Sequence, residues 1–405
     1  MDVMEILTAL VEPEGRADPY PLYAALHELG EAVTLGPGAI VVPGYEAIDS
    51  VLRDPAFRRP DAASFDRYLP SWRAHPSLAQ GMDWVLNLNP PEHTRIRSLI
   101  ARAFTHRRVS GLEPAIAAMT DHLLDAMAER GGDGTPVEFM HDFAFLLPVT
   151  VICELIGIPE ADREGFRPIA RAIAATLDLT EMSRLGLLAQ ADAAAVQLRE
   201  YFTDLAAQRR QDPRDDLLSA LVGISDSGDG RLSDSELLSN LTLLLVAGFE
   251  TTTNLLGNGL RIILQDPPAG EAVRDGSVPA AAFVEEVLRY DSPVQLTTRL
   301  GGDAEVAGLR AAPKDEVMML LGAGNRDPRR FRAPDTFDPL RSDGGPLSFG
   351  GGAHFCIGAA LARLEATVAF PRLLARFPAL AAAGEPQRRQ GFVLRGFDTL
   401  PVTVV

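Results

Sequence analysis

Apolar residues recur at three- and four-residue spacing over most of the chain. Tyr20 to Leu29, Ala115 to Arg130, Phe143 to Ile156, Leu187 to Gln208 and Thr367 to Phe377 all carry this stripe, which predicts amphipathic helices. Strand-like runs are short. Ala32 to Leu35 and Ala39 to Val42 flank the turn Gly36-Pro37-Gly38 and predict a hairpin, with more strands expected over Ala304 to Leu321 and Phe392 to Val405. The expected class is mainly α with small peripheral β-sheets (α+β).

One helix is marked at both ends. Ser233-Asp234-Ser235-Glu236 is a capping box, Leu232 and Leu237 are spaced for a hydrophobic staple, and Pro267-Pro268 stops the helix after Asp266. About thirty residues at 1.5 Å each predict a rod roughly 45–50 Å long. Leu241 to Val246 is apolar on every face except at Thr242, so burial is expected. Ala247-Gly248-Phe249-Glu250-Thr251-Thr252 follows. A mid-helix glycine costs about 1 kcal/mol relative to alanine, and here it precedes an acid beside an alcohol. A back-bonded threonine kink with Glu250 paired to an arginine is one reading; a functional site is the other.

Composition narrows the function classes. The chain has 405 residues, 46% of them hydrophobic, enough for a large core. No linker, low-complexity tract or repeat divides it, so a single domain over 1–405 is expected. A net charge of −17, with no basic block, argues against nucleic acid as a partner. No basic n-region precedes an apolar run at the N-terminus, and no uncharged run reaches the roughly 18 residues of a membrane span. A cytoplasmic protein with no membrane partner is expected. The two cysteines, Cys153 and Cys356, form no disulfide framework and fit a reducing compartment. Cys153 sits in an apolar helix and reads as a buried structural residue.

Cys356 reads differently. It lies in Phe349-Gly350-Gly351-Gly352-Ala353-His354-Phe355-Cys356-Ile357-Gly358, just ahead of the helix-forming run Ala359 to Glu365. A helix N-terminus stabilises a thiolate, and glycines let backbone lie close against a flat object. A dinucleotide loop would need glycine where Phe355 stands, and a phosphate loop would need Gly-Lys-Ser/Thr. A zinc site would need a second Cys/His pair at ligand spacing.

The loop resembles the haem-binding signature of the cytochrome P-450 family at every position. Three further stretches are similar to that family, in the same chain order. Glu286-Val287-Leu288-Arg289 looks like its Glu-x-x-Arg pair, with Arg341 of Phe337-Asp338-Pro339-Leu340-Arg341 as third member of a structural triad. Asn89-Pro90-Pro91-Glu92-His93-Thr94-Arg95-Ile96-Arg97 resembles its propionate helix, with Asn89 where many relatives have aspartate. Ala247 to Thr252 resembles its oxygen-activation groove.

The resemblance implies a long central helix over haem b, with Cys356 as the iron ligand. It implies cofactor contacts from His93, Arg97, Ala247, Gly248, Arg299, Phe349, Gly350, His354 and Gly358. Glu250 and Thr251 would relay protons in dioxygen activation, and Gly248 would make room for dioxygen. Substrate lining would come from Asn240, Leu243, Leu244, Val294, Leu296, Thr297 and Phe397, with the loop Tyr68 to Leu88, the segment Ile173 to Leu187, and Gly396. The implied activity is monooxygenation of a small apolar organic substrate with O2, most simply hydroxylation or epoxidation of a bacterial secondary metabolite such as a polyketide or macrolide. The chain leaves no room for a reductase module, so ferredoxin and ferredoxin reductase would donate electrons, docking near Arg95, Arg102, Arg107 and Arg108. Oxidative coupling or ring formation on the same haem is the alternative. A non-catalytic haem sensor is the alternative from another class, and the Glu250-Thr251 pair argues against it.

Overall fold

The computed structural model describes residues 1–177, 186–226 and 232–404. Most of them are helical, and the strands form four small sheets. The chain divides into two compact units, each drawn from separated stretches of sequence.

The first unit comprises Met1–Arg58, Ala117–Ala144 and the chain from Thr251 on. Its largest sheet orders the strands Val33–Gly36, Ala39–Val42, Glu316–Met319 and Thr297–Leu300. The expected hairpin supplies two of them, and Ala39–Val42 then pairs in parallel with Glu316–Met319. Successive side chains of Ala39–Val42 face opposite ways. Ile40 and Val42 enter one core cluster with Ile48, Val51, Leu52 and Leu347, while Val41 enters another with Ile6, Leu10, Tyr23 and Leu26. Both faces are covered, which is why this strand reads as a continuous apolar run.

Two boundaries differ from the sequence pattern. The apolar run through 321 does not stay extended: Leu321–Gly324 turns into a helix after the strand ends at Met319. Thr367 to Phe377 is the second half of one helix, Ala359–Arg376, which passes through Pro371. Helices Pro267–Arg274 and Ala280–Tyr290 both pack against it.

The second unit comprises Arg59–Ile116 and Phe145–Glu250. Here Leu187–Gln211 packs on Phe166–Ala174 and Pro76–Gly81. The helix expected from Phe143 is broken. A π-turn, Met140–Ala144, precedes Leu146–Ile156.

The long helix is continuous, Asp234–Gln265, and its capping box forms as expected. Glu236 N–H donates to Ser233 Oγ at 3.2 Å, and Ser233 N–H donates to Glu236 Oε2 at 2.8 Å. The staple residues Leu232 and Leu237 are both buried. Among the described residues, no helix is long and apolar enough to cross a membrane.

Candidate functional site: a cysteine loop and a long helix

In the first unit, Cys356 follows a loop with glycine at two left-handed positions. Gly350 and Gly352 have φ of +69° and +60°, the left-handed region. At Gly352 space is also short, since a Cβ would lie 2.2 Å from the Leu52 carbonyl oxygen. The Cys356 N–H closes the loop by donating to the Phe349 carbonyl at 2.9 Å. Ala359–Arg376 begins just after, with Gly358 as its N-cap. A Cβ on Gly358 would lie 3.9 Å from Cys356 Sγ, so the sulfur rests beside the start of the helix. The positive end of the helix dipole there favours thiolate over thiol. Cys356 and His354 are half-buried, whereas Phe355 between them is 43% exposed. Arg363 stacks over the Phe349 ring at 4.3 Å.

Cys153 has the opposite environment. It is fully buried, and burial pushes its thiol up to about 12.

Arg299 projects from the strand Thr297–Leu300, is 4% exposed, and donates to the Thr298 carbonyl. Thr297 and Val294 are half-buried. Leu296 packs among the cluster of Tyr23, Leu26 and Leu320, and Phe397 lies under the Arg388 guanidinium at 3.9 Å. Both contacts are packing within the first unit.

Glu286 sits at the centre of the expected triad. Arg289 donates to both of its oxygens at 2.8 Å, and Arg341 Nε lies 3.0 Å from each. Arg289 also donates to the carbonyls of Asn325, Pro334 and Thr336. The pair therefore ties the helix Ala280–Tyr290 to the loop that leads towards the cysteine.

In the second unit, the helix Glu92–Ala103 carries His93, 2% exposed, and Arg97, half-buried, one turn apart on one face. Arg95 lies on another face and pairs with Glu236. Asn89 accepts from the Arg59 N–H at 2.9 Å and donates to the Arg59 carbonyl at 3.0 Å. An aspartate could make only the first bond, so asparagine suits this chain. Trp72 and Trp84, in the loop expected to line the substrate, are buried. Residues 178–185 of the other expected lining segment lie outside the described residues.

Along the long helix, Leu245, Val246, Phe249, Glu250 and Thr252 are buried, while Ala247, Gly248 and Thr251 are partly exposed. These three share one face, a local opening in an otherwise enclosed helix. Leu243 and Leu244 are buried one turn earlier. Two residues here have partners that the sequence pattern does not show. A Cβ on Gly248 would lie 2.8 Å from Ile152 Cγ1, so close packing against Leu146–Ile156 accounts for this glycine. The Asn240 amide is engaged at both ends. Its oxygen accepts from Val85 N–H, and its nitrogen donates to the carbonyls of Asp83 and Glu236.

A flat dianionic group with a central metal needs a soft anionic ligand, an unencumbered surface and cations. In the first unit, Cys356 at a helix start is a soft anionic ligand and buried Arg299 a cation, residue types that fit haem.

Motif reading missed a buried polar cluster in the first unit. Asp291, 5% exposed, accepts from Arg395 at 2.6 Å, Tyr20 at 2.7 Å and Arg388 at 2.9 Å. Burial pushes its carboxyl up, but Arg388, Arg395 and Tyr20 outweigh burial and hold it well below the usual range. The available signal was the pair Asn254 and Asn258, two amides one turn apart on an apolar helix.

Known proteins resemble the chain over nearly its whole length. The Cytochrome P450 family model matches residues 32–276 and 280–395. Cytochrome P450 107B1 of Saccharopolyspora erythraea is 41% identical over 376 residues, covering 91% of this chain and 89% of that protein. The 6-deoxyerythronolide B hydroxylase of the same organism is 36% identical over 398 residues, 95% of this chain and 96% of that one. The crystal structure of ligand-free CYP164A2 from Mycobacterium smegmatis matches with a TM-score of 0.88 at 38% identity, covering 99% of this chain and 100% of that chain.

Proposed function

The chain belongs to the cytochrome P450 family and is a haem-dependent monooxygenase with that family's fold, and from that premise we propose that it hydroxylates or epoxidises a polyketide- or macrolide-type metabolite. One relative is named for hydroxylating 6-deoxyerythronolide B, a substrate of that class. The observation that carries the catalytic reading is the adjacency, mid-way along the long helix, of buried Glu250 and partly open Thr251. A ligand-binding haem protein has no need of an acid beside an alcohol there.

When bound, the haem supplies iron for dioxygen activation, and an anionic sulfur ligand favours O–O cleavage. Cys356 is that ligand in this proposal, kept anionic by the helix start beside it. His93, Arg97, Arg299 and His354 would hold the propionates, since buried carboxylates need charged or hydrogen-bonding partners. Glu250 passes protons inward from water, and the Thr251 hydroxyl orients the last of them. The two electrons come from a ferredoxin and its reductase.

Two measurements test this reading. Cys356→Ser should abolish the thiolate-type spectrum of the reduced carbon-monoxide complex; an unaltered spectrum refutes the ligand assignment. Incubation of substrate under 18O2 should place the label in product. An oxidised product without label would instead support coupling or ring formation.

A further inference from the structure

A cleft in the first unit gathers four arginines. Arg16, Arg388, Arg389 and Arg395 line it together with Pro19 and Phe392, and no carboxylate is among its lining residues. The chain as a whole carries a net charge of −17, so four cations around one opening run against its overall balance. Counted out to its open mouth, the cleft holds about 300 Å³. Ordinary ligand pockets run from roughly 300 to 1,000 Å³, so this one suits a small molecule or one end of a larger one.

Two of the arginines are committed to the fold. Arg395 Nε donates to Asp291 at 2.6 Å, and its two terminal nitrogens donate to the carbonyls of Arg16 and Ala17 at 2.7 and 3.0 Å. Arg388 donates to Asp291 at 2.9 Å and to the Asn258 amide oxygen at 3.1 Å. One buried carboxylate therefore answers two guanidiniums, and positive charge is left in excess along the wall.

Arg16 is placed differently. It is half-buried, yet its guanidinium makes a single long contact among the described residues, from Nη2 to Gln390 Oε1 at 3.4 Å. Its Nε is buried with no hydrogen-bond partner among those residues. A guanidinium carries five N–H donors, so most of this one's capacity is unused by the protein. The backbone is the reverse: Arg395 grips the Arg16 and Ala17 carbonyls and fixes the segment against the cleft. A ligand that meets Arg16 need not order that segment first, which lowers the entropic cost of binding.

The cations stand beside an apolar wall. Pro19 is buried, and Phe392 is half-buried against the cluster of Tyr23, Leu26 and Leu320. An inorganic ion would use the charge and leave this wall wet. An anionic head on an apolar body uses both, and the planar arginine fork matches the two oxygens of a carboxylate.

We propose that this cleft binds organic carboxylic acids, with the Arg16 guanidinium meeting the carboxylate and with Pro19 and Phe392 covering the apolar body. The inference does not depend on the roles given to Cys356 and Thr251.

Calorimetric titration of the haem-loaded protein at constant ionic strength, with hexanoate, hexan-1-ol and inorganic phosphate in turn, tests it. Hexanoate should bind about tenfold more tightly than either of the others, close to the lower limit for a hydrogen bond to a charged group. Arg16→Gln should weaken hexanoate by about the same factor, ~1.4 kcal/mol. Phe392→Ala should weaken hexanoate and leave phosphate unchanged. Arg310→Gln, at an exposed cation outside the cleft, should leave hexanoate unchanged. Undiminished hexanoate binding in Arg16→Gln overturns the proposal, as does no binding at all. Equal affinity for phosphate overturns it in favour of a bare oxyanion site, and equal affinity for hexan-1-ol removes the role of charge. A Soret shift that tracks hexanoate occupancy and survives Arg16→Gln would place the acid over the haem and overturn the assignment to this cleft.

Discussion

Glu286 and Arg289 meet in a two-point contact, both bonds at 2.8 Å, with 2% and 1% of their side chains exposed. A buried pair of this kind adds little net stability over apolar packing, but losing one partner strands the other. Glu286→Gln leaves both Arg289 and Arg341 without their shared counter-charge. It should lower unfolding free energy by about 3–5 kcal/mol, read as a shift in the urea midpoint with an unchanged slope. Arg289→Lys should cost more than Arg341→Lys. Arg289 holds three backbone carbonyls besides the carboxylate, and lysine cannot reproduce a two-point contact.

Glu365 gives a prediction of the opposite chemical sense. It is 1% exposed on the helix Ala359–Arg376, with one carboxyl oxygen that has no hydrogen-bond partner among the described residues, and burial raises its carboxyl well above the usual range. Its proton is bound more tightly in the folded state. The corresponding stability is present below the ordinary glutamate value of about 4.3 and is lost as pH rises from there through the folded value. Glu365→Gln mimics the protonated form. Thermal melts should show the variant gaining on the wild type as pH rises from 5 to 9, in steps read by the wild type's decline. Equal pH slopes in both proteins would mean that Glu365 is not titrating.

Asp291 supplies the converse. Its carboxyl is held below the usual range despite burial, by Arg388 and Arg395. Its contribution is present above the unfolded aspartate value of about 3.9 and disappears as pH falls towards the lower folded value. Acid unfolding of the wild type should therefore include this loss below about pH 4. Asp291→Asn should be destabilised at neutral pH and show a shallower acid limb, because it has no charge left to lose.

The cysteine loop was legible because chemistry constrains it residue by residue. Two glycines at positive φ, a backbone approach too close for a side chain, and a helix starting just beyond Cys356 leave few alternatives at those positions. The long helix was legible for another reason: its capping box is local, so Ser233 and Glu236 find each other across three residues. The partners of Asn240, Gly248 and Leu296 were not legible, because they are distant in sequence. Nothing in the pattern around Gly248 reveals Ile152, and nothing near Asn240 reveals the Val85 N–H. The Asp291 cluster was missed for the same reason. It gathers Tyr20, Asp291, Arg388 and Arg395 from three remote stretches, and no one stretch carries a motif.

Thr251 separates proton handling from cofactor binding. Its hydroxyl lies on the partly open face of the helix, whereas Thr252 beside it is 1% exposed. Thr251→Ala should keep haem content and the thiolate spectrum while diverting electrons to hydrogen peroxide, with product formation falling about a hundredfold, the low end of the roughly 10²–10⁴ carried by a proton-transfer group. Thr252→Ala should leave the partition of electrons nearly unchanged. Electron consumption, peroxide and product measured together on one sample decide between them; full coupling in Thr251→Ala removes this residue from the mechanism.

Electron delivery is tested at the basic residues expected to receive a ferredoxin. Of four basic residues expected to receive a ferredoxin, Arg95 is committed to Glu236, and Arg108 to the Ala103 carbonyl and Asp215. Arg102 and Arg107 are the exposed pair. Steering of an acidic partner depends on net charge near the surface, so reversing two positions should act mainly on association and weaken with added salt. Arg102→Glu with Arg107→Glu should slow reduction by ferredoxin about tenfold or more at low ionic strength, by the range over which steering changes on-rates. Reduction by dithionite should be unchanged, because that small reductant needs no docking surface. Equal slowing with both reductants would mean that the substitutions disturb the haem environment rather than the encounter, and would move the docking surface elsewhere on the protein.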